Sequence, residues 1–121
     1  MAVKKETYDL RIKQGATFSR GGTYTDADDI AIDLTGYTIR AMIRELYTSS
    51  AAMVSLTCAI DVPLAGHFTF GLSAAQTAVL VPTGPAPTQK QSYVWDLEIE
   101  KAGVVTRLLQ GAVYVSPEAT K

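Results

Sequence analysis

Few residues in this sequence have both the type and the spacing to do chemistry. Asp96, Glu98 and Glu100 alternate along one stretch. In an extended chain alternation puts them on one face, with neighbours about 7 Å apart. A carboxyl pair at that separation suits an inverting glycosidase, provided one group is desolvated in a cleft. A convex alternating strand offers no cleft, so the pattern reads as a solvated strand face. Arg40 and Arg44 could grip a carboxylate or phosphate; the reading preferred here is cross-strand pairing with those three acids, which needs no ligand. Asp26, Asp28 and Asp29 make the most acidic spot. Their spacing is not that of an EF-hand and no Glu follows at the twelfth position, so a polar turn is expected rather than a calcium site. Cys58, the single cysteine, cannot form an intrachain disulfide. It lies in phase with Leu56 and Ile60 and reads as a small buried hydrophobe. The lone His67 falls on the polar face of its own segment and reads as a surface histidine. The sequence has no nucleophile elbow, phosphate-cradling glycine loop or Cys/His metal spacing, so no catalytic, cofactor-binding or metal residue is assigned.

The elements that would carry these residues are strands. Residues 93–100 alternate Tyr93, Trp95, Leu97 and Ile99 against Val94 and the acids, a period of two that marks a strand with one buried face. Trp95, the only tryptophan, lies mid-strand and makes this the central core strand. Residues 7–13 alternate Tyr8, Leu10 and Ile12 against Asp9, Arg11 and Lys13, giving a first strand. Residues 16–25 form a second extended segment in which Gly21 and Gly22 suggest a bulge or sharp bend. Residues 37–45 put Ile39, Ala41 and Ile43 inward and Arg40, Met42 and Arg44 outward. Residues 53–61 and 67–72 continue the pattern, with a turn at 62–66 between them. Ser73 and Gln76 have the capping-box spacing and predict one short helix. Residues 82–91, with Pro82, Pro85 and Pro87, form a semi-rigid loop longer than a usual hairpin connection and are a candidate contact loop. A hairpin follows through 101–103, its return strand at 104–109 placing Arg107 near the acidic face; Gln110 and Gly111 give a kink before a last strand at 112–115.

The 121 residues are one ordinary domain, with 47% apolar and 19% charged residues and a net charge of −1. That balance is globular, and no basic field points to nucleic acid. The first residues lack the apolar core of a signal peptide, and no apolar run approaches a bilayer span, so no membrane partner is expected. The expected organisation is a single domain over 1–121 with a loose N-terminal arm at 1–5 and a tail at 116–121. About eight short strands with one brief helix argue for an all-β, antiparallel, immunoglobulin-like β-sandwich.

Several short motifs then suggest a family. Gln14, Gly15, Thr17 and Phe18 make an early Gln-Gly-x-Thr-Phe; residues 33–40 read Asp-Leu-Thr-Gly-Tyr-Thr-Ile-Arg. Residues 66–73 read Gly-x-Phe-x-Phe-x-Leu-Ser, 93–98 Tyr-x-Trp-Asp-Leu-Glu, and 108–111 Leu-Leu-x-Gly. In these the chain resembles tail and baseplate proteins of tailed bacteriophages, in particular the N-terminal domain of the upper baseplate protein family. The resemblance implies a virion structural protein without enzymatic activity, made in the host cytoplasm, that docks one phage component onto another as an adaptor or ring component. Capsid decoration is an alternative role. The implied partners are other phage structural proteins and further copies of the chain, and no cofactor is implied. Contacts are expected at Pro82, Pro85, Pro87, Lys90, Tyr47 and Tyr24. A glycan-binding module using exposed aromatics (Tyr24, Tyr37, Tyr47 and Tyr114) is a separate reading from a different class of function.

Overall fold

A computed structural model describes residues 2–3, 6–46, 54–80 and 90–116. Among the described residues nine strands form one all-β sheet: β1 (Ala2–Val3), β2 (Glu6–Thr7), β3 (Leu10–Lys13), β4 (Phe18–Tyr24), β5 (Thr38–Arg44), β6 (Val54–Val62), β7 (His67–Leu72), β8 (Lys90–Lys101) and β9 (Val104–Ser116). A helix α1 (Ala74–Ala78) and a 3-10 turn at Pro63–Ala65 accompany the strands. The strand order is β1-β4-β7-β6-β5-β8-β9-β2, with β3 also on β9.

The sheet is mixed, which corrects the antiparallel expectation. β1 runs parallel to β4, and β2 and β3 run parallel to β9. The cause lies in the N-terminal segment. It was expected to be loose over 1–5, but Ala2 and Val3 lie against Thr23 and Tyr24, and Glu6 and Thr7 then lie against Leu109 and Gln110. Three residues of chain reach at most about 11 Å. The β4 and β9 margins are five strand spacings apart along the sheet, about 24 Å if flat. The sheet must therefore roll until its margins approach one another. Strand β6 is where it turns, because Val54 to Leu56 pair with β5 and Thr57 onward pair with β7.

Rolling buries one core. Phe70 on β7 stacks on Trp95 of β8 with ring centroids 5.3 Å apart, and on Phe68 at 6.2 Å. Around them Leu10, Ile12, Phe18, Ile43, Leu97, Ile99, Leu109 and Val113 are buried. The alternation in the sequence is thus used as expected on β3, β5, β7 and β8. One end of the core is closed by α1. Ser73 and Gln76 form the reciprocal capping box that starts it. The buried Thr77 hydroxyl lies 2.9 Å from the Ala16 carbonyl, and Gln14 Nε2 donates to the carbonyls of Ala78 and Leu80.

The first strand does not run unbroken through residues 7–13. Between β2 and β3 the ladder to β9 is interrupted, although the register is the same on both sides, Thr7 opposite Gln110 and Leu10 opposite Val113. Inside the gap the Tyr8 carbonyl accepts the Trp95 indole N–H at 2.7 Å. The Ala112 N–H is taken up by the Asp9 carboxylate at 2.9 Å. Gly111 is required opposite, since a Cβ there would sit 2.4 Å from the Tyr8 oxygen.

Gly111 therefore marks a close approach and not a kink. β9 is one strand from Val104 to Ser116, and its irregularity is a bulge at Leu108, between the pairs Leu97–Leu109 and Glu98–Arg107. The extra residue lets both Leu108 and Leu109 turn into the core. Gly21 and Gly22 make no bulge either: β4 pairs with β7 in continuous register through them. Gly21 instead leaves room for the imidazole of His67, whose Nε2 would lie 3.3 Å from a Cβ at that position.

Two substitutions test the joint between Tyr8, Trp95 and Gly111. Trp95→Phe leaves a buried carbonyl without its donor and should cost about 1–3 kcal/mol. Gly111→Ala should cost about 1–3 kcal/mol through forced displacement of the β2–β3 connection. Because both act on one carbonyl, the double variant should lose less than the sum in urea unfolding followed by circular dichroism. Strict additivity would separate the two residues and refute the joint.

Candidate functional site

The outer face of β5, β8 and β9 gathers most of the residues with chemical potential. The antiparallel pairing sets Arg40 opposite Glu98 and Met42 opposite Asp96, while β9 brings Arg107 opposite Glu98. Arg40 donates from Nε to Glu98 at 3.1 Å and from Nη1 to Glu100 at 2.9 Å. Arg107 lies 3.5 Å from Asp96 and also donates to Gln110 at 3.3 Å. The expected pairing of this face with the acids holds for Arg40 and Arg107. Arg44 sits opposite Val94 and donates to the Met42 sulfur at 3.6 Å; it acts on Asp96 through its field.

The face is not the cleftless convex surface the alternation suggested. Arg40, Ala41, Met42, Arg44, Asp96 and Glu98 line a shallow open groove of about 260 Å³. Burial there raises the Asp96 carboxyl above its ordinary range, and the neighbouring Glu98 charge adds to this against the pull of Arg107, Arg44 and Arg40. Glu98 and Glu100 are both clamped by one guanidinium. Three arginines answer three acids, and the groove remains open to water, so the charges of this face are matched to each other.

A second polar pair lies on the outer face of β6 and β7. His67 Nδ1 is 2.6 Å from Asp61 Oδ1, and this hydrogen bond holds the Asp61 carboxyl below the usual aspartate range. The expectation of a surface His67 is correct, but its partner was missed. Asp61 and His67 are six positions apart in sequence, on two strands joined by a turn, and alternation alone does not say which residues of a hairpin meet. Cys58 packs against the core. It is half-buried rather than fully buried, which meets the expectation of a buried hydrophobe in part, and burial pushes its thiol up to about 11.

Of the expected contact residues, Tyr47, Pro82, Pro85 and Pro87 lie outside the described residues. Lys90 falls in strand β8, opposite Val115, and so is not in a loop. Tyr24 is half-buried against the core, and its hydroxyl is raised first by burial and then by nearby Tyr37. Of the other tyrosines named for glycan binding, Tyr114 has Arg11 over its ring and Tyr37 has Lys101 over its ring. The acidic spot at Asp26 is a turn, with Asp26 Oδ1 accepting from the N–H groups of Asp28 and Ile30. Asp33 likewise accepts from Thr35 through both backbone and hydroxyl, which lowers its carboxyl. Among the described residues no three His, Cys, Asp or Glu side chains cluster as a metal site, and no helix is long and apolar enough to cross a membrane. No protein-family model matches the chain, and no curated protein matches it.

Asp96 titrates higher in the folded chain than in the unfolded one, because burial disfavours its charged form, so its contribution favours folding at acid pH and is lost as pH rises through the folded value. Asp96→Asn should therefore be more stable than the parent at neutral pH, by less than about 1 kcal/mol. The difference should vanish below the ordinary aspartate range. A neutral-pH loss of stability would show that the arginines outweigh desolvation. For Cys58, a shift from 9.0 to about 11 lowers the thiolate fraction at mildly alkaline pH about a hundredfold. Iodoacetamide should modify the folded chain slower than the urea-unfolded chain by at least that factor, and equal rates would contradict the burial.

Proposed function

We propose that the chain is a structural component of a tailed-bacteriophage virion, an adaptor or ring subunit of the tail or baseplate that works through protein–protein contacts and without catalysis. In this reading the rolled sheet is an immunoglobulin-like sandwich. β4, β7 and the second half of β6 make one layer; β5, β8, β9, β2 and β3 make the other.

One observation carries the reading: among the described residues, the polar side chains at the sheet corners and on the outer face of β5, β8 and β9 hold the fold or neutralise one another, while strand edges are left open. Asp9, Gln14, Asp33, Ser73, Gln76 and Thr77 each satisfy a backbone group at a corner of the sheet. Arg40 and Arg107 are matched to acids on the adjacent strand. By contrast, among the described residues β3 is hydrogen-bonded to β9 alone, and β4 is met by β1 only at Thr23 and Tyr24. Open edges are the usual templates for pairing with another chain. The residues that carry the phage resemblance fall on these same structural roles: Gln14 ties to α1, Phe68 and Phe70 fill the core, Ser73 caps, and Trp95 anchors the N-terminal segment.

Purified particles of a phage encoding the chain, denatured and analysed by mass spectrometry, should contain it at a fixed copy number with the tail proteins. Its recovery only from lysate supernatant would overturn the reading. Replacement of both Glu98 and Glu100 by Gln should leave particle incorporation intact.

A further inference from the structure

The gap in the rolled sheet lies between β3 and β4. Among the described residues, the far edge of β3 and the 18–22 stretch of β4 have no strand neighbour there. They flank a cleft of about 240 Å³ lined by Arg11, Lys13, Ala16, Thr17, Phe18 and Arg20. Half of these residues are cations and none is an acid, unlike the outer face of β5 and β8, where the guanidiniums meet carboxylates. Two of the cations are also positioned. Arg11 Cζ lies 4.7 Å from the Tyr114 ring centroid, and Arg20 Cζ lies 4.6 Å from that of Phe18. Arg20 further donates to the Ser19 carbonyl at 2.8 Å. Stacking fixes each guanidinium plane and leaves N–H groups at its rim to meet a carboxylate.

The chain itself presents an acidic turn held by its own hydrogen bonds. In the turn following β4, the Asp26 N–H donates to the Ile30 carbonyl at 2.9 Å, and Asp26 Oδ1 accepts from Asp28 and Ile30. A bridge between Thr25 and Ala31 closes its base. Asp28 and Asp29 project at its tip, beside an Ile30 that is 63% exposed. Such a turn needs little ordering on binding. It cannot reach the cleft of its own chain: Arg20 and Asp26 are six residue steps apart along β4 and its extension, about 20 Å.

We propose that the cleft between β3 and β4 receives the acidic turn of residues 26–29 from a second copy of the chain. The contact joins two different patches at opposite ends of β4 and is therefore head-to-tail. Such an interface builds a ring when its rotation closes and a filament when it does not. The inference deepens the ring-subunit reading and rests on it for its place in the virion.

The test is sedimentation velocity of the full chain over a concentration series at low and high salt. The wild type should self-associate, and added salt should weaken the association. Lys13→Glu with Arg20→Glu should weaken it about tenfold or more, as should Asp28→Lys alone. Each of these substitutions is at an exposed residue, and unchanged Trp95 fluorescence will report that the fold is kept. Mixing the two variants should restore association, because each reversed patch again meets its opposite. A wild type that stays monomeric to millimolar concentration overturns the proposal, as does failure of the mixture to recover. A multimer whose mass and salt response are the same in both variants also overturns it, yet leaves the virion reading standing. Binding of a poly-glutamate peptide by a non-associating wild type would assign the cleft to a different acidic partner and likewise overturn the self-contact. Absence from particles, by contrast, removes the virion reading whatever the chain does in solution.

Discussion

The fold depends on a single carbonyl being turned the wrong way. At Tyr8 the backbone oxygen leaves the parallel ladder with β9 and accepts the indole N–H of Trp95. The largest side chain of the core is thereby tied to the N-terminal segment, its one polar atom satisfied where an unpaired donor would cost about 1–3 kcal/mol. Two neighbours make the diversion possible. Asp9 supplies the acceptor that Ala112 would otherwise lack, and Gly111 leaves space for the approaching oxygen. Because β2 and β3 are held at β9 on both sides of this joint, the segment that precedes them can reach across to β4, and the sheet is drawn into a roll.

From that roll follow both the core and the surfaces. Phe70 and Trp95, distant along the sheet, come into ring contact. The outer face of β5, β8 and β9 is left as a balanced array of arginine and carboxylate, suited to solubility and to fixing register. Among the described residues the closure is incomplete, and the opening between β3 and β4 is lined by cations without an acid. The two kinds of surface arise from one topology. Charges on central strands find partners across the ladder, whereas among the described residues charges at the gap face no strand that could supply one.

Much of this was legible in the sequence, for particular reasons. Alternation in β5, β7 and β8 fixed which residues turn inward, since a period of two admits one register of burial. The capping box of α1 was visible because both partners are local, and the pairing of Arg40 with Glu98 could be anticipated from two alternating faces of opposite charge. What could not be read depends on contacts remote in sequence. Parallel pairing of Ala2 with Thr23 leaves no local signal, and neither does the meeting of Asp61 with His67. Glycine proved ambiguous: Gly21, Gly22 and Gly111 suggested a bulge and a kink, while the bulge in β9 falls at Leu108, an ordinary core leucine. Two positions serve a close approach to another group, the imidazole of His67 and the carbonyl of Tyr8, and sequence does not reveal what approaches.

Hydrogen exchange tests the central joint most directly. In native-state measurements by NMR, the Trp95 indole N–H and the Ala112 amide should exchange only through global unfolding, with protection equal to that of the Leu97 amide at the centre of β8. Exchange of the Trp95 indole through a local opening, at a rate independent of denaturant while the β8 amides stay protected, would contradict the account.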